Sequence, residues 1–224
     1  MSISAAPAVY LIVGVPGSGK STVSRALAQR YRLGAHIEVD RLQEMVVSGG
    51  RWPRFRWDPE ADRQTYVRAK NAAALAHNFY QAGIVPVIDD VVVWRNHLDY
   101  YLAKLAGLPL RFIVLAPSPH IAAHRNATRR KVLTTDWNFL DRTMHEQLHG
   151  IGAWIDSSGM DVAATVNTVL SVQQNVLLHA PPNNVVLQPP PPQPWGGQDQ
   201  YPAALGAPPA SPANGGQQPQ TWAG

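Results

Sequence analysis

Short apolar runs alternate along the chain with longer stretches of helical periodicity, the pattern of a parallel sheet with helices on both faces. Five runs read as strands, over residues 8–13, 35–39, 84–88, 110–115 and 153–156. Each ends where a polar residue or a glycine begins, and the carboxyl ends of such strands are where open α/β sheets bind ligands. The spacing predicts a long helix over 62–82, with Val67, Ala73, Leu75, Ala76, Phe79 and Tyr80 as its apolar side and Gly83 as its stop. No internal repeat is visible.

The first strand runs directly into Gly14-Val15-Pro16-Gly17-Ser18-Gly19-Lys20-Ser21, a G-x-x-x-x-G-K-[ST] phosphate loop, and a helix is predicted over 21–30. A chain that wraps a polyphosphate must turn sharply and aim several backbone N–H groups at one anion. Gly14, Gly17 and Gly19 permit that. Lys20 is placed to reach the terminal phosphates, Ser21 to offer its hydroxyl to Mg²⁺, and the helix, with Thr22 in its first turn, to point its positive dipole end at the same charge. The cofactors expected are therefore ATP and Mg²⁺, and the fold expected is a P-loop NTPase three-layer sandwich: a five-stranded parallel sheet with helices on both faces.

Composition divides the chain near His179. Residues 180–224 hold 12 of the 20 prolines, 7 glutamines, 6 glycines and a single charge, Asp199. Such a segment buries too little apolar surface to offset its ordering entropy and reads as a disordered tail. Its run Gln188 to Pro194 favours polyproline II, which a protein partner could dock. Residues 1–179, the domain that holds the phosphate loop, carry all 19 basic side chains against 14 acidic ones, a net +5 that suits an anionic ligand. The absence of cysteine excludes disulfides and thiolate metal sites. Neither a signal peptide nor a membrane span is indicated, and the location expected is cytoplasmic.

Acidic residues close the second and third strands. The second ends Ile37-Glu38-Val39-Asp40, which delivers Asp40 to the rim beside the phosphate loop, where it can take the proton of an attacking hydroxyl. The competing use of Asp40 is as the cap of a helix over 41–47. Glu38, two residues earlier, could support Mg²⁺ through water. The third strand ends Val87-Ile88-Asp89-Asp90. Alternation lets only one of that pair face the phosphate loop; Asp89 is assigned to the metal and Asp90 to the acceptor side. After the fourth strand, Arg125 and Arg129 stand four residues apart on one helix face, an arrangement for a lid whose guanidinium groups stabilise a transferring phosphoryl group, or for a solvated basic face.

A phosphate loop at the start, an aspartate after the second strand, Val87-Ile-Asp-Asp-Val91 and the Arg125-x-x-x-Arg129 segment together resemble the chloramphenicol phosphotransferase-like kinases. That group is similar in turn to zeta toxins and to small adenylate-kinase-like phosphotransferases. The resemblance covers about residues 8–172. It implies an ATP-dependent kinase of a small hydroxyl compound, with Asp40 as catalytic base, Lys20 as the loop lysine and Arg125 and Arg129 as lid arginines. The acceptor is not inherited, because the segment that would bind it departs from the family.

That segment is Arg51-Trp-Pro-Arg54-Phe-Arg56-Trp57. Arginines interleaved with aromatics suit a flat ring or a phosphate, so a nucleotide, a nucleotide-sugar or a nucleic-acid 5′ end stands as an alternative acceptor, with Arg54 and Arg56 as its contacts. The plainer arrangement has the aromatics packed on the domain and the arginines in water. A non-catalytic nucleotide-binding module is the remaining alternative, though no N-K-x-D follows to read guanine. His145-Glu-Gln-Leu-His149 fits the zinc-protease motif H-E-x-x-H, but no glutamate follows Glu146 and position 155 is isoleucine where the extended motif requires histidine. Here it reads as a helix with Met144 and Leu148 facing in.

Overall fold

The structure, a computed structural model, describes residues 8–53, 58–128, 138–172 and 177–178. Five parallel strands run β1 (Val9–Val13), β2 (Gly34–Glu38), β3 (Val85–Asp90), β4 (Leu110–Leu115) and β5 (Ala153–Ile155). They lie in the order β2-β3-β1-β4-β5, so the phosphate-loop strand sits at the centre of the sheet. A two-residue strand, β6 (Leu177–Leu178), pairs antiparallel with β4 and was not foreseen from the sequence.

Seven helices connect the strands among the described residues: α1 (Lys20–Ala28), α2 (Val39–Glu44), α3 (Pro59–Gln81), α4 (Arg95–Lys104), α5 (Pro119–Thr128), α6 (Asn138–Leu148) and α7 (Val162–Val172). The period-2 pattern of the strands sorts their side chains into two cores. Val9, Leu11, Val13, Ile88, Phe112 and Val114 pack with α3, α4 and α6 on one face. Tyr10, Ile12, Val85, Val87, Ile113 and Leu115 pack with α1 and α7 on the other. Both faces of the central strands are buried, which is why they read as unbroken apolar runs.

The long helix begins earlier than the sequence predicts. Asp58 caps it by accepting from Glu60 N and Ala61 N at 2.9 and 3.3 Å, and Pro59 occupies the first turn, where its missing N–H costs nothing. Gly83 follows its end with φ 73°, as expected of a stop. Its buried side is the expected one in part: Ala73 and Ala76 are buried and Phe79 and Tyr80 pack on the core, but Val67 and Leu75 are 40% and 36% exposed, and Ala61, Thr65, Arg68, Ala69 and Ala72 complete the inward stripe. Alanines at that spacing let the helix backbone press close to the sheet, and the larger apolar residues fall to either side. Met144 and Leu148 of α6 are fully buried as expected, while His145 and His149 lie against the ring of Trp154. Among the described residues, no helix is long and apolar enough to cross a membrane.

Candidate active site

The loop after β1 turns at two left-handed glycines, Gly17 (φ 85°) and Gly19 (φ 89°). A Cβ on Gly17 would stand 2.1 Å from the carbonyl oxygen of Ala122, so glycine there also lets α5 pack onto the loop. Gly19 is the N-cap of α1, and no side chain caps that helix. The first-turn N–H groups therefore point, with the helix dipole, at the place the loop encloses. Lys20 and Ser21 open the helix beside it.

The pleat decides which acidic residue meets the loop. Asp89 follows Val85 and Val87 on the α1 face, and its Oδ1 accepts from Ser21 Oγ at 3.1 Å. Its Oδ2 pairs with His36 Nε2 of β2. Asp90 follows Ile88 to the opposite face. There its carboxylate, with no exposed side-chain surface, accepts from Val91 N and from Tyr101 Oη, both at 2.8 Å. The guanidinium of Arg68 lies 3.6 Å from Asp90 Oδ1, and His97 Nε2 lies 3.7 Å from Oδ2. Burial pushes the His97 imidazole down to about 4, against the pull of Asp90. Burial and then the charge of Asp90 raise the Tyr101 hydroxyl well above its ordinary range. The acceptor-side residue expected in Asp90 is thus a buried counter-ion whose oxygens are taken by protein groups.

Strand β2 stops at Glu38, one residue short of the sequence expectation, and Val39 and Asp40 already belong to α2. Glu38 is the N-cap, so Asp40 sits inside the first turn and caps nothing. Its carboxylate, 47% exposed, lies 3.9 Å from Arg68 Nη1. Asp40, Lys20, Ser21, Glu38 and Arg125 line one cavity of about 660 Å³, together with Ser157, Met160 and Asp161. Arg125 of α5 donates to the carbonyl of Ser157 at 2.9 Å, which ties that helix to the loop after β5. Arg41 is held between Glu38 and Glu44 at 3.4 and 2.7 Å.

A hydroxyl and a carboxylate oxygen side by side suit a hard divalent cation, whose remaining ligands come from water and phosphate. Ser21 and Asp89 are the residues that would hold Mg²⁺ here. Arg54, Arg56 and Arg129 lie outside the described residues, as does the tail from 180. Of the aromatic and basic segment, Arg51 is engaged structurally. Its N–H donates to Gln64 Oε1 at 2.8 Å and its guanidinium to Asp58 at 2.9 Å. Trp52 lies over the Arg68 guanidinium at 5.8 Å.

Sequence reasoning missed Arg68 and His36. Arg68 left a signal, since it interrupts a stripe of small residues, Thr65 and alanines at 61, 69, 72, 73 and 76, and it is only 4% exposed. His36 left a weaker one, two residues before Glu38 and on the same strand face. Ser157, Met160 and Asp161 come from a loop with no motif.

A sequence model of a family described as "AAA domain" matches residues 9–149, a span that includes the phosphate loop, Asp40, Asp89 and Arg125. The chain belongs to that family. No curated protein matches the sequence of this AAA-domain protein. Among solved structures it is similar to a sugar kinase from Janibacter sp. HTCC2649, with TM-score 0.57 and 17% identity over 76% of this chain and 96% of that one. A gluconokinase from Sinorhizobium meliloti 1021 gives TM-score 0.54 and 21% identity over 75% and 95%. The tunicamycin resistance protein of Deinococcus radiodurans gives 0.56 and 17% over 79% and 100%. At these identities the likeness establishes a common fold.

Proposed function

We propose that this AAA-domain protein is an ATP-dependent kinase that moves the γ-phosphate to a hydroxyl of a small molecule, as its resemblance to chloramphenicol phosphotransferase-like kinases implies. The observation that carries this reading is that Lys20, Ser21 and Asp40 line one cavity. A phosphoryl donor and a proton acceptor then share a space large enough for both substrates.

The loop N–H groups and Lys20 hold the β- and γ-phosphates, and Mg²⁺, when bound, neutralises charge that develops between them. Asp40 takes the proton of the acceptor hydroxyl as its oxygen bonds to the γ-phosphorus. The bond from that phosphorus to the bridging oxygen breaks, and ADP leaves with the electron pair. Arg125, fastened to the Ser157 carbonyl, presents its guanidinium to the same space and stabilises charge on the transferring group. The cytoplasm, where Mg·ATP is abundant, is the proposed setting.

The test is transfer of labelled γ-phosphate to a panel of hydroxylated antibiotics, sugars, nucleosides, nucleotide-sugars and 5′-hydroxyl oligonucleotides, with Lys20→Ala as control. A Lys20-dependent product is expected, and Asp40→Asn should bind Mg·ATP normally while transfer falls about 10²–10⁴-fold. Tight ATP binding with no transfer to any acceptor would favour a binding module, and full transfer by Asp40→Asn would remove Asp40 from the base role.

A further inference from the structure

We infer that His36 is a positioning residue for the divalent-cation site, acting through Asp89. This rests on the reading of Ser21 and Asp89 as the metal-holding pair.

Register brings the two together. His36 is opposite Val87 in the β2–β3 ladder, and Glu38 is opposite Asp89. Side chains of His36, Val87 and Asp89 share one sheet face, so the imidazole reaches diagonally from β2 to the end of β3. Its Nε2 meets Asp89 Oδ2 while Ser21 Oγ donates to Oδ1. An ionised carboxylate only accepts, so Nε2 carries the hydrogen and the imidazole is the donor. Asp89 is 3% exposed and His36 16%, so water has little room to replace either partner.

Each oxygen of Asp89 therefore has its own donor, and the carboxylate plane is fixed by both. The chemical consequence falls on Ser21. While Asp89 Oδ1 takes the Ser21 hydroxyl hydrogen, the lone pairs of Ser21 Oγ stay directed away from Asp89 and available to a cation. Without His36, Oδ2 is a buried acceptor with no partner from β2. The carboxylate is then free to rotate toward other donors, and Oδ1 leaves Ser21. Outer partners of this kind set metal affinity by orienting the groups that touch the ion.

Mn²⁺ as a paramagnetic stand-in, titrated into the full chain with saturating ADP and followed by electron paramagnetic resonance, tests this without relying on activity. His36→Ala should weaken Mn²⁺ binding about 10–100-fold, with ADP binding in excess EDTA unchanged. His36→Gln, whose amide N–H reaches close to where Nε2 stands, should recover most of the loss. Asp89→Asn serves as the reference. If Asp89→Asn loses Mn²⁺ affinity while His36→Ala does not, the inference about His36 falls and the metal reading stands. If neither loses it, the metal reading falls and takes the inference with it. A His36→Ala variant that weakens ADP in EDTA as much as Mn²⁺ has a general packing defect, which also overturns the inference.

Discussion

Changing Asp90 to asparagine keeps the shape of the side chain, leaves one oxygen where two now accept separately from Val91 N and Tyr101 Oη, and removes one buried charge. What it strands is Arg68. That guanidinium is 4% exposed, and its two counter-ions are Asp90 at 3.6 Å and Asp40 at 3.9 Å. At an effective dielectric of about 20, a pair at that distance is worth roughly 4 to 5 kcal/mol. Asp40, being 47% exposed, is a screened and weaker replacement. The loss is partly offset because Asp90 no longer has to be desolvated as an anion. The expected cost of Asp90→Asn is therefore about 3–5 kcal/mol, the range for breaking a buried pair by removing one partner. For a chain of this size that corresponds to a fall in Tm of roughly 6–20 °C. Urea unfolding of Asp90→Asn, Arg68→Met and the double variant measures it, because replacing both charges should recover much of what either single change loses. Asp90→Asn costing less than about 1 kcal/mol, or a double variant that is simply additive, would refute the argument that Asp90 exists to neutralise Arg68.

Three further outcomes are expected. The His97 imidazole is held down at about 4 against an ordinary 6.5, with Asp90, Arg68, Tyr66 and Tyr101 around it. The unfolded chain therefore binds the proton first, and its contribution to stability, intact above pH 6.5, is lost as pH falls toward 4, by up to about 3 kcal/mol. His97→Gln should flatten that part of the urea-midpoint profile, and an unchanged slope would contradict it. Gly17→Ala puts a methyl group 2.1 Å from the Ala122 carbonyl at a φ of 85°, and should cost about 1–3 kcal/mol and weaken ATP at least about tenfold by calorimetry. Asp58→Ala removes the cap of α3 and should cost about 1 kcal/mol in thermal melts while leaving ATP affinity unchanged.

The sheet was legible because its central strands are buried on both faces and appear as apolar runs no helix would need. The phosphate loop was legible because its glycines, Lys20 and Ser21 form one contiguous motif that can be read without the rest of the fold. Boundaries slipped where one residue can belong to two elements. Val39 continues the apolar run of β2, yet it turns inward as the first residue of α2, and so carries Asp40 into a helix. The stripe of α3 was misread at Val67 and Leu75, where contact with the sheet selects small side chains, and read correctly at Ala73, Ala76, Phe79 and Tyr80. Arg68 and His36 escaped because neither belongs to a motif. Each is defined by what a distant segment places beside it, Asp90 in one case and Asp89 in the other.

Those two adjacent aspartates show how much function the pleat alone can assign. Asp89 and Asp90 are chemically identical and one residue apart, yet successive side chains on a strand point to opposite faces. One therefore meets Ser21 and His36 on the α1 face, and the other meets Arg68, Tyr101 and His97 on the α3 and α4 face. The first stands beside the nucleotide loop. The second is linked to Asp40 through Arg68, which lies within 3.9 Å of both carboxylates. A one-residue slip of β3 would exchange these environments, carrying Asp90 to the α1 face, away from the arginine that neutralises it. Register in this strand is thus specified by charge as well as by the apolar pattern. The charge that specifies it, on Arg68, is also the one closest to the proposed base.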